Sequence, residues 1–128
     1  MKKLDTNFKK PSHQQLDKLI KYYKTGKYVD AEKLSVSIAK NFPDNQLSWK
    51  ILGLILENTG RIKESFIANK KSVLINPLDS EAHNNLGVTL QRLGRLDDAE
   101  ASYRQAITLK VDFVEAHNNL GNTLLELE

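Results

Sequence analysis

Ala82-His83-Asn84-Asn85-Leu86-Gly87 returns 34 residues later as Ala116-His117-Asn118-Asn119-Leu120-Gly121. Thr89-Leu90 and Leu93 return at the same offset as Thr123-Leu124 and Leu127. One step back, Leu86-Gly87 falls on Leu52-Gly53, Leu90 on Leu56, Gly94-Arg95 on Gly60-Arg61 and Pro77 on Pro43; a further step takes Gly60-Arg61 to Gly26-Lys27. A period of roughly 20–50 residues marks a chain of stacked units, none of which buries its apolar face alone.

Within one period the apolar pattern reads as two helices. Ala82, Leu86, Leu90 and Leu93 are spaced by four, four and three, which is one helical face. Gly94 ends that helix. A second face follows with Leu96, Ala99, Tyr103, Ala106, Ile107 and Leu109. Small residues at Gly87, Ala99 and Ala106 let the two helices approach, and Pro43 and Pro77 fall where a second helix must stop. The opening unit departs from the pattern, but Leu16, Leu19, Ile20 and Tyr23 still make one face. The spacing predicts seven helices and no strand, over about 12–25, 28–41, 45–59, 62–75, 80–93, 96–109 and 114–127. Ser12 and Gln15 make a capping box for the first. Trp49, Leu52, Leu86, Leu90, Tyr103 and Ala106 are the expected core.

Trp49, Leu52-Gly53, Leu56 and Pro77 in one unit, and Leu86-Gly87, Leu90, Ala99, Tyr103 and Ala106 in the next, resemble the signature of the tetratricopeptide repeat family. The departures are Ser65, Asn69 and Ser72 where Ala, an aromatic and Ala are usual, His83 for an aromatic, Val111 for Pro, and Lys18-Leu19 for Leu-Gly. The resemblance implies an all-α, right-handed superhelical stack of antiparallel helix pairs. It divides the chain into a flexible arm over 1–11 and a repeat domain over 12–128, with repeats 12–45, 46–79 and 80–113 and the first helix of a fourth over 114–128. An array stopping there suggests an N-terminal fragment of a longer protein. The wording of the repeats also resembles bacterial arrays found before O-GlcNAc-transferase-like or sulfotransferase domains.

Composition excludes other classes. No apolar run is long enough to span a membrane, and none follows the basic residues at the N-terminus, so no secretory leader is read there. With no cysteine there is no disulfide, thiolate metal site or Cys nucleophile, which favours a reducing, cytoplasmic setting. The formal charge of +3 hides a slope: residues 1–45 carry ten lysines against five acids, residues 80–128 four basic residues against eight acids. Lys2-Lys3, Lys9-Lys10 and Lys70-Lys71 permit a weak phosphate attraction, but aromatics are only 7%, with Trp49 and Tyr103 at core positions, so nucleic acid is a minor alternative.

Nothing in the pattern assembles a catalytic or metal site, and no enzyme activity, cofactor or metal is expected. His83 and His117 occupy equivalent places in successive units, roughly 8–10 Å apart at the least, too far to share an ion. Asp97-Asp98 opens a helix, where negative charge is favoured, and the repeated glycines serve packing and turns.

The expected function is therefore a non-catalytic scaffold holding an extended peptide or protein segment along its concave side, lined by the first helix of each pair. The helical period puts Lys50, Ile51, Leu54 and Asn58 of one repeat on that side, with Asn84, Asn85, Val88 and Arg92 of the next and Asn118, Asn119 and Asn122 of the last. Asn85 and Asn119 share one repeat position and resemble the asparagine ladder of O-GlcNAc-transferase superhelices, which holds peptide backbone. The Lys-Asn-Asn-Lys-Arg clamp by which some family members grip a C-terminal carboxylate is not matched, because Glu81 and Glu115 stand where lysine is required. An alternative is the substrate-recruiting arm of a larger transferase. Self-association through 114–128 is also expected, since Leu120, Leu124 and Leu127 there lack a second helix to cover them.

Overall fold

The computed structural model describes residues 10–128. Most of the arm expected over 1–11 falls on residues 1–9, outside the described residues. The described residues form seven α-helices and no strand: α1 (His13–Lys24), α2 (Tyr28–Asn41), α3 (Gln46–Asn58), α4 (Ile62–Ile75), α5 (Ser80–Arg92), α6 (Leu96–Leu109) and α7 (Val114–Leu127). Every expected helix is present, with ends differing by a residue at most.

The helix ends follow local chemistry. Ser12 and Gln15 close the capping box on α1, each side chain accepting from the other's backbone N–H at 3.0 Å. Asn45 and Asp79 cap α3 and α5 through their side-chain oxygens. Each turn within a pair passes through a glycine in the left-handed region, Gly26, Gly60 and Gly94, at φ 77–80°. The N–H after it then bonds five residues back, as from Arg95 to the Leu90 carbonyl at 2.9 Å. Asp97 and Asp98 lie in the first turn of α6 rather than at its cap, which is Arg95; Asp98 pairs with the Arg95 guanidinium at 2.8 Å.

Each helix packs on its chain neighbours, and in addition α1 meets α3, α3 meets α5 and α5 meets α7, while the even helices stay apart from one another. Odd helices drawn together and even helices splayed make a curved stack with the odd helices on the inside. The core runs along the stack as linked clusters. Leu19, Ala31, Ile38, Ile51 and Ile55 join α1, α2 and α3; Leu86, Leu90, Ala99 and Tyr103 join α5 and α6. Leu52, Leu86, Leu90, Tyr103 and Ala106 are buried as expected, whereas Trp49 is half-buried, its indole N–H donating to the Pro43 carbonyl at 2.9 Å. At the α5–α6 contact, a Cβ on Gly87 would lie 2.5 Å from Cε1 of Tyr103.

Candidate functional site

The inner face is built by the repeat. Positions separated by a full period plus one become lateral neighbours on successive odd helices: Glu57 meets Arg92, Asn84 meets Asn119 and Gln91 meets Glu126. These contacts tie α3 to α5 and α5 to α7, and they decide which groups remain open to a ligand.

Lys50 is fully engaged. Its Nζ lies 2.9 Å from Asp79 and 2.7 Å from Glu81. Burial alone would lower its pKa, but the two carboxylates outweigh that and hold it above the usual lysine value. Burial likewise pushes the Asp79 carboxyl up, and hydrogen bonds from Gln46 and Lys50, with the Ala82 N–H, overcome it and leave it below the usual value. Arg92 is held by Glu57 at 2.6 Å. The phenol of Tyr103 donates to Gln91 at 2.8 Å, and the Gln91 amide donates onward to Glu126. Burial raises the Tyr103 pKa, and the nearby charges of Glu115, Glu126 and Glu57 raise it further.

Two of the residues expected to line the groove do not. Ile51 is 5% exposed because α1 packs over it, and it belongs to the core cluster of α1, α2 and α3. Asn84 is 2% exposed, covered by the approach of α7, and its side-chain oxygen accepts from Asn119 at 3.1 Å. Asn119 thus spends one amide donor within the protein. Asn85 does not: among the described residues its half-buried side chain has no hydrogen-bond partner. Leu54 and Val88 are half-buried, and Asn58, Asn118 and Asn122 are exposed. Towards the first helix, Leu16, Ile20, Tyr23 and Leu47 continue the face as half-buried side chains. The ion pairs that Lys50 and Arg92 make with carboxylates escaped the sequence reading; for Arg92 and Glu57, opposite charges a period plus one apart on the inner stripe were the visible signal.

The histidines have a structural task. His83 and His117 each place Nε2 2.8 Å from the carbonyl six residues earlier, Pro77 and Val111, the bond that the Trp49 indole makes to Pro43. A ring N–H at that repeat position is what the site requires, and histidine supplies it with Nε2 protonated.

Residues 80–113 match the family model of the tetratricopeptide repeat. That segment is a tetratricopeptide repeat. The described residues have the fold of a tetratricopeptide-repeat solenoid, shared with solved structures at high overlap and low identity. The first repeat domain of Spaghetti (RPAP3) bound to the HSP90 peptide SRMEEVD superimposes with a TM-score of 0.84 at 21% identity, covering 88% of this chain and 90% of that one. The Yersinia enterocolitica type III secretion chaperone SycD, in complex with a peptide of the translocator YopD, gives 0.81 at 17% identity over 90% and 93%. A Thermobaculum terrenum O-GlcNAc transferase gives 0.80 at 21% identity, over 89% of this chain and 23% of that one. No curated protein sequence matches the chain. None of the described helices is long and apolar enough to cross a membrane.

Proposed function

We propose that the chain is a non-catalytic, cytoplasmic interaction scaffold that holds an extended peptide segment along the inner face of α1, α3, α5 and α7. The observation that carries this reading is Asn85. It lies on the inner stripe, half-buried, with a side-chain amide that has no hydrogen-bond partner among the described residues; Leu54 and Val88 of the same stripe are half-buried and apolar. A buried-edge amide offers a donor and an acceptor together, which matches the N–H and C=O of one peptide unit in an extended strand. Solved structures of the same fold include two with a bound peptide, which supports a peptide as the ligand class. The proposed contacts are Asn85, Leu54, Val88, Asn58, Asn118, Asn122 and the free side of Asn119; Lys50 and Arg92 shape the groove through their ion pairs.

The transferase-arm alternative uses the same groove, and likeness of fold does not choose it. Phosphate recognition is disfavoured by the carboxylates of Glu57, Glu81 and Glu126 on the inner face. The test is titration of the protein against a panel of extended peptides, repeated with Asn85→Ala. The variant should keep its helix content and lose about 0.5–1.5 kcal/mol of binding, the net worth of one hydrogen bond. Unchanged affinity for every peptide that binds would show that the segment lies elsewhere.

A further inference from the structure

The partner's chemistry follows from which charges on the inner face are already spent, and the argument rests on the scaffold reading above. From α3 to α7 that face carries two cations, Lys50 and Arg92, both committed. Against them stand five carboxylates: Glu57, Asp79, Glu81, Glu115 and Glu126. One lysine serves both Asp79 and Glu81, and Glu81 remains 63% exposed. At the next step of the stack the lysine position becomes Asn84, so Glu115, the counterpart of Glu81, has no cation beside it among the described residues. Glu126 receives only the neutral Gln91 amide. The other half of the groove, Leu16, Ile20, Tyr23, Leu47 and Leu54, is apolar and half-buried.

We infer that the groove takes an extended segment that is apolar where it crosses α1 and α3 and basic where it crosses α5 and α7. An arginine or lysine of that segment reaches Glu81, Glu115 or Glu126 without displacing an existing ion pair, because each has unspent charge. An acidic segment meets a face whose cations are already neutralised and whose surplus is negative. The whole chain carries +3, so bulk attraction would favour an acidic peptide. A preference for a basic one therefore reports the groove itself.

The experiment uses three labelled extended peptides, alike in their leucines and differing at three positions in one half: Arg, Gln or Glu. Each is made in both chain directions and followed by fluorescence anisotropy at low and moderate salt. The Arg peptide is expected to bind at least tenfold more tightly than the Glu peptide, with the Gln peptide between, and its advantage should shrink as salt rises. Glu81→Gln with Glu115→Lys should remove or invert the order, while Glu64→Gln, exposed on the outer helix α4, should leave it intact. Equal binding of the Arg and Gln peptides, or an order that survives the double change, would overturn the basic preference and leave the scaffold reading standing. Binding of none of the three would overturn both.

Discussion

At the scale of single residues, the two inner glycines of the strongest repeat units do different jobs. Gly87 faces Tyr103, and even a methyl there would stand 2.5 Å from the ring. The equivalent Gly121 has nothing within 4 Å of an added Cβ. Gly87→Ala should therefore cost about 1–3 kcal/mol by overpacking. Gly121→Ala should gain up to about 1 kcal/mol, since it only removes a glycine from a helix interior. Thermal melts of the two variants check both signs, and equal destabilisation would contradict the packing described. The repeat made Gly87 legible as a contact point, but the substitutions at Ser65, Asn69 and Ser72 were legible only as departures. They form a polar replacement for the usual Ala-aromatic-Ala face. Ser65 donates to the Gly53 carbonyl at 2.8 Å, the Asn69 amide donates to Ser65 and to the Asn85 carbonyl at 3.3 Å each, and Gln46 donates to Ser72 at 3.2 Å. The side-chain oxygen of Asn69, buried without a hydrogen-bond donor, points at Gly53, where a Cβ would be 2.0 Å from it. Asn69 thus fills against Gly53 the place that the Tyr103 ring fills against Gly87.

At the scale of elements, helix existence was written in the spacing of Leu, Ala and Gly, and helix ends in Gly, Pro and capping residues. What one helix does to the next was not. Asn84 reads as a surface residue on the α5 wheel and is buried because α7 approaches it, an event set by the curvature of the stack. Ile51 belongs to the inner stripe by periodicity and to the core because α1 lies over it. The junction of α3 and α5 carries a titratable consequence. The folded pKa of Asp79 lies below its unfolded value, so its stabilisation is present above the ordinary carboxylate range, about 3.9, and is lost as pH falls through the lower folded value. That of Lys50 is raised, so its contribution is full below about 10.4 and lost as pH rises through the higher folded value. Asp79→Asn keeps a side-chain oxygen for the α5 cap, but it removes the charge and replaces the oxygen that accepts from Gln46 and Lys50 with an amide donor. It should lower stability at neutral pH by about 1–2 kcal/mol and flatten the acid limb of Tm against pH. A parallel acid limb in the variant would show that Asp79 contributes nothing to it.

For the molecule as a whole, inner and outermost helices of the described stack differ in how much they bury. The helix α5 buries seven residues, and α7 buries Ala116 and Thr123 alone. Leu124, Leu125 and Leu127 are 38%, 67% and 39% exposed, beside the open Gly121. Apolar surface of this kind favours association, whereas Glu115 and Glu126 on the same helix and Glu128 just after it repel their copies on a second molecule. Salt screens the repulsion and leaves the apolar term in place. Association through α7 should therefore strengthen between about 0.02 M and about 0.3 M salt, roughly where the Debye length falls below the spacing of such surface charges. Binding of a basic segment in the groove should weaken over the same range. Opposite salt signs let one set of measurements separate the two surfaces. Sedimentation velocity at rising concentration should show a dimer that grows with salt and disappears in Leu124→Gln, Leu127→Gln, while anisotropy of the Arg peptide falls with salt and is unaffected by that double change. A dimer that persists in the variant places self-association on another face. Loss of peptide binding in the same variant would mean that α7 orders the groove as well as carrying the association.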